Sequence, residues 1–236
     1  MKTLISLALV VLSLLSTGIC HRRAQAQESQ FKLVEFHMEV LKRGPKWSAH
    51  PDKDAMALHQ QHVAYVHSLL ESGKAIIAGP LQDDGDIRGV CIFRAKSAEE
   101  ARTWAVADPA ISSGHLIAEM HSWWSEDVIK KPTSAQKTIT AYLTFLKRGP
   151  KWTPEQTPAT VELQKAHIAN IQRLAALKKL VVAGPFGDGG SLAGIFVFRV
   201  DSLEEARALT ATDPAVQAGR LAFDVHPWLV PEGALP

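Results

Sequence analysis

The chain has 236 residues, of which 46% are hydrophobic and 21% charged, with a formal net charge of +2. That balance fits a folded, core-forming protein and excludes collagen-like, coiled-coil and broadly disordered classes.

The N-terminus reads as a signal peptide over residues 1–26. Lys2 supplies a positive start, Leu4 to Ile19 is an apolar run, and Ala24-Gln25-Ala26 is a small-x-small cleavage signal. The run is shorter than the ~20 residues a membrane-spanning helix needs. Ile19 stands before Cys20, where a lipoprotein signal wants a small residue. The expectation is an exported protein, periplasmic or secreted, that is soluble after signal removal. Cleavage removes Lys2, Arg22 and Arg23, which leaves 23 bases against 24 acids. A near-neutral chain without a basic stripe predicts no nucleic-acid partner. Cys91 remains as the lone cysteine, inside the apolar Val90-Cys91-Ile92-Phe93 run, where an inert buried thiol is expected.

The elements come twice, at an offset of 105 residues. A first strand is predicted over 31–41 and 138–146. LKRGPKW follows at Leu41–Trp47 and again at Leu146–Trp152. A long helix is predicted over 53–72 and 158–178. Leu58, His62, Val66 and Leu69 share one helical face, as do Leu163, His167, Ile171 and Leu174. Gly73 ends the first helix in the usual way, whereas Lys178 occupies the matching position in the second. Short strands at 75–78 and 180–183 run into Gly-Pro, and an Asp/Gly-rich turn leads to strands at 87–95 and 192–200. Ser97 and Ser202 open a second helix with Glu100 and Glu205 three residues on, a capping box. Each second helix stops before Asp-Pro, and a last strand over 115–123 or 220–228 ends in His-x-Trp.

Residues 34–124 align with 139–229 without a gap, with 32 identities in 91 positions. The order β-α-β-β-α-β is the split βαβ of a ferredoxin-like α+β module. Module 1 is assigned to 31–125, a polar linker to 126–137 and module 2 to 138–230, with Pro231 to Pro236 as a frayed tail. One module leaves a sheet face bare. The simplest cover is the other copy, sheet against sheet, which makes an intramolecular pseudo-dimer. Further homo-oligomer formation is left open.

The set His62…Leu69, Gly79-Pro80, Asp108-Pro109, Gly114 and His121-x-Trp123 resembles a YciI-like (YCII-related) domain. It recurs at His167, Gly184-Pro185, Asp213-Pro214, Gly219 and His226-x-Trp228. The resemblance implies a dimeric α+β barrel with a His–Asp pair in a cleft. Matched residue by residue, the pairs are His62 with Asp108 and His167 with Asp213. Related barrels include isomerases, dehalogenating enzymes and monooxygenases acting on ring compounds. The expected partner is therefore a small-molecule ligand, and the expected function is cofactor-free proton transfer. The alternative is a non-catalytic small-ligand binding module.

Each residue also has a plainer reading. His62 and His167 fit core histidines, and Asp108 and Asp213 fit turn or N-cap aspartates. His121 and His226 read as strand histidines packing beside Trp123 and Trp228, and the GPKW loops as anchored by a packed indole rather than as flaps. His59 and His62 stand one helical turn apart, a spacing that can chelate metal. Gln164 replaces His59 in the second copy, and no metal and no cofactor is expected.

Overall fold

The computed structural model describes residues 32–132 and 137–236, so the expected signal peptide lies outside the described residues. Module 1 contains β1 (Leu33–Arg43), α1 (Lys53–Glu71), β2 (Ala75–Pro80), β3 (Ile87–Phe93), α2 (Ala98–Val106), the one-turn α3 (Pro109–Ser112) and β4 (Leu116–Glu126). Module 2 repeats them as β5 (Thr138–Arg148), α4 (Pro158–Ala176), β6 (Leu180–Pro185), β7 (Leu192–Phe198), α5 (Leu203–Ala211), α6 (Pro214–Gln217) and β8 (Leu221–Pro231). Each sheet is antiparallel, in the order β2-β3-β1-β4 and β6-β7-β5-β8. These are two ferredoxin-like α+β modules.

Local signals act as the sequence requires. The Ser97 and Ser202 side chains accept from the Glu100 and Glu205 N–H groups. Each glutamate carboxylate reaches back one residue further than a capping box does, to the N–H of Lys96 or Asp201. Gly73 leaves α1 at φ 74°, and Lys178 adopts φ 57° at the end of α4. The second copy thus makes the same left-handed stop with a residue that pays steric strain for it.

Alternation along β1 separates two layers. Phe36, Met38 and Val40 share one core with Ala141, Leu143 and Phe145 of β5, so the two sheets pack face to face. The other set, His37, Glu39 and Leu41, is buried on the helix side, where Leu41 packs with Ala110 and Leu58. Edge strands also meet across the modules. The Gln82 N–H donates to Pro227 O at 2.8 Å, and the Gly187 N–H to Ser122 O at 2.8 Å. The buried indoles of Trp228 and Trp123 donate to Gly79 O at 3.0 Å and Gly184 O at 3.2 Å.

This close approach explains the repeated Gly-Pro. A Cβ on Gly79 would sit 1.8 Å from Leu229 O, and one on Gly184 would sit 1.9 Å from Trp124 O. Only glycine admits the neighbouring strand.

The tail departs from expectation. Ala234 and Leu235 are buried in the shared core, the Lys130 N–H donates to Ala234 O at 2.9 Å, and Arg199 donates to Leu235 O at 2.9 Å. A Pro-flanked terminus reads as frayed because sequence polarity does not show that the barrel end needs a plug. Ile129, in the stretch read as a polar linker, is buried in the same core.

Candidate functional site

The α1 face that carries Leu58, His62, Val66 and Leu69 turns toward the sheet, and α3 begins beside it. His62 Nδ1 lies 2.6 Å from Asp108 Oδ2. Asp108 is at once the N-cap of α3: its Oδ1 accepts the Ala110 N–H at 2.8 Å. Module 2 builds the same pair, with His167 Nδ1 2.8 Å from Asp213 Oδ2 and the Ala215 N–H on Asp213 Oδ1 at 2.9 Å. The capping role and the histidine contact belong to different oxygens of one carboxylate, so the two readings of each aspartate hold together. Side-chain exposure is 15% for His62 and 5% for Asp108, against 12% and 0% for His167 and Asp213.

The surroundings differ between modules. Asn170 donates to Asp213 Oδ2 at 3.1 Å, Arg173 holds the Asn170 oxygen at 2.8 Å, and the Phe196 ring stacks on His167 at 5.9 Å. In module 1 the matching positions are Tyr65 and Cys91, and Glu39 stands where module 2 has Thr144. Burial, and then repulsion from Asp108, pushes the Glu39 carboxyl up to about 8. The same two causes, burial first and then the carboxyls of Glu39 and Asp108, push the Cys91 thiol well up. Cys91 is therefore inert at neutral pH. An open groove of about 460 Å³ runs along the first half of α1, lined by Asp52, Ala55, Leu58, Gln61 and His115. Leu58 lies one turn before His62 on the same helix face.

Two further histidine–carboxylate pairs bridge the modules, which the strand-packing reading of His121 and His226 missed. His121 Nδ1 lies 2.5 Å from Asp188 Oδ2, and His226 Nδ1 lies 2.5 Å from Asp83 Oδ2. Asp83 and Asp188 are each fixed by a backbone N–H two residues on, Gly85 at 3.0 Å and Gly190 at 3.1 Å. Burial alone would raise the Asp188 carboxyl, but the Gly190 N–H and His121 outweigh it and hold it below the ordinary carboxylate range. Each module lends an aspartate to the other module's histidine, the reciprocity of an isologous interface inside one chain. The available signal was the recurrence of both residues at the 105-residue offset.

The GPKW loops are anchored. The Arg43 and Arg88 guanidinium carbons lie 5.8 and 5.3 Å from the centroid of the 37% exposed Trp47 ring, and those of Arg148 and Arg220 lie 4.0 and 5.9 Å from that of Trp152. Their backbones bond to the turns before β4 and β8, as in Lys46 N–H to Gly114 O and Lys151 N–H to Gly219 O. The His59 and His62 rings are 6.2 Å apart, and among the described residues no three His, Cys, Asp or Glu side chains gather as metal ligands.

The YCII-related domain matches this chain over residues 36–123 and again over 140–229. The chain belongs to that family. An uncharacterized protein of Bacillus subtilis (strain 168), YjpA, is 34% identical over 76 residues, which cover 30% of this chain and 87% of YjpA. Among solved structures, chlorite dismutase from Candidatus Nitrospira defluvii, including its complex with imidazole, superposes with a TM-score of 0.54 at 13% identity. The superposition covers 88% of this chain and 94% of that one. At that identity the likeness concerns the fold, the dimeric α+β barrel. Here one YCII-related chain supplies both halves of it.

Proposed function

We propose that each YCII-related module is a cofactor-free small-molecule site in which His62 or His167 moves a proton. The observation that carries this reading is the matched orientation of the two rings. In both modules a carboxylate held by the N–H two residues on (Ala110 or Ala215) takes Nδ1, which leaves Nε2 to act as the base. With Nδ1–H donated to aspartate, Nε2 accepts a proton from a C–H next to a carbonyl, and the electron pair left on carbon spreads onto the carbonyl oxygen. The aspartate stabilises the imidazolium that results. Return of the proton to another carbon completes an isomerisation. Departure of a leaving group with the electron pair completes an elimination.

The reaction class is tested without knowing the natural substrate. Cyclic ketones carrying an α C–H, incubated in D₂O, should exchange that carbon-bound proton for deuterium, read by NMR. Replacing both histidines (His62→Ala with His167→Ala) should cut that exchange by about 10²-fold or more. Ligands that bind stoichiometrically without exchange would make the modules binding domains instead. The proposal extends to export with cleavage after Ala26, supported by Lys2, the apolar run and Ala24-Gln25-Ala26. N-terminal sequencing of the mature protein should then begin at Gln27.

A further inference from the structure

The two His–Asp sites share a feature that the pairs themselves do not explain. At the same place on an inner strand of each sheet, facing the helix layer, a buried polar side chain has an oxygen without a hydrogen-bond partner among the described residues. In module 1 it is Glu39, 4% exposed, whose Oε1 is unpaired; in module 2 it is Thr144, 0% exposed, whose Oγ1 is unpaired. Glu39 pairs in register with Cys91 on β3 and Met120 on β4, and interacts electrostatically with Asp108, Tyr65 and Cys91. It is thus a second carboxyl on the helix side of the same sheet, close enough to Asp108 to feel its charge. Thr144 pairs with Phe196, which stacks on His167. Leaving a buried polar atom unmatched is costly, and here the cost falls at the same place in both copies of the repeat.

We propose that Glu39 and Thr144 are the second polar contacts of the two clefts, and that they give the modules different ligand preferences. This rests on the reading of the His–Asp clefts as ligand sites and names what they take. Module 1 takes a neutral small molecule that presents a carbonyl or hydroxyl oxygen to the Glu39 carboxyl. An anionic ligand there would put a second negative charge beside Asp108, in a site whose other carboxyl, Glu39, is neutral and offers no compensating charge. Module 2 has one carboxylate, Asp213, and holds Arg173 nearby through Asn170, so it lacks that discrimination. Held neutral by burial, Glu39 donates its O–H to the ligand oxygen, the arrangement that a carboxyl kept protonated at neutral pH permits.

The test uses the full mature chain and two probes with one ring, acetophenone (a neutral ketone) and benzoate, read on the ring signals of His62 and His167 and on the ¹³C carboxyl signal of Glu39. Acetophenone should shift His62 and the Glu39 carboxyl, about tenfold more tightly than benzoate does. His167 should show no such preference. Glu39→Leu should weaken acetophenone at His62 by about tenfold and leave His167 unchanged, Glu39→Gln should retain it, and Thr144→Val should act at His167 alone. An unmoved Glu39 carboxyl signal in the wild-type chain while His62 responds would mean that Glu39 meets water only. That result overturns this inference but leaves the cleft reading standing. No response of either histidine to either probe would overturn both.

Discussion

Glu39→Gln should make the protein more stable at pH 8.5 and should flatten its stability between pH 5 and 8. The carboxyl rises from an ordinary 4.5 to about 8 in the folded chain, so the native state holds a proton that the unfolded state has released. Stability then falls as pH rises from the unfolded value to the folded one and is level above it, because unfolding releases that proton. Below pH 4.5 both states are protonated and wild type and variant should match to within about 1 kcal/mol. At pH 8.5 the variant should gain roughly 3 kcal/mol, less than the full displacement implies because a charged Glu39 would draw in water. Urea melts of both proteins at pH 5 and pH 8.5 check this. Parallel pH dependence in the two would mean that Glu39 is solvated.

Gly184→Ala or Gly79→Ala should be the most damaging single-methyl change in the chain. At either position the new Cβ falls under 2 Å from a carbonyl oxygen of the other module, and neither strand can move without breaking its ladder. The adjoining indole then loses its acceptor, since Trp123 bonds to Gly184 O and Trp228 to Gly79 O. Both indoles are fully buried between the sheets. A displaced seam uncovers them, and loss of such burial costs about 3–5 kcal/mol. Each variant should therefore lose at least about 3 kcal/mol, read as a lower Tm together with a larger hydrodynamic radius from a parted seam. Gly189→Ala is the control: it has a positive φ but no neighbour within 4 Å, and should cost about 1 kcal/mol through backbone strain alone.

The module fold was legible because its signals are local and doubled. The 105-residue offset, the helix face through His62 and His167, and the Ser-x-x-Glu caps all depend on residues close in sequence. The His–Asp pairing was legible only through family resemblance. His62 and Asp108 are 46 residues apart, and nothing in that spacing says that α3 starts under α1. The cross-module pairs needed more still, namely which turn of one module meets which strand of the other. That is set by how the sheets slide together rather than by any one segment. Glu39 escaped because it breaks the repeat: a glutamate in an apolar strand, opposite a threonine in the second copy, looks like drift. Ala234 and Leu235 escaped because a short Pro-flanked tail gives no sign of the cavity it fills.

In the proposed function the aspartates set the two helix histidines as bases with Nε2 free. The most direct measurement is the ¹⁵N tautomer state of His62 and His167 in the full chain at a pH where the rings are neutral. Both should be protonated at Nδ1 and bare at Nε2, and Asp108→Asn and Asp213→Asn should each disturb only the partner ring. Protonation at Nε2 in the wild-type protein, or rings indifferent to their aspartates, would contradict the claim and return both histidines to a purely structural role.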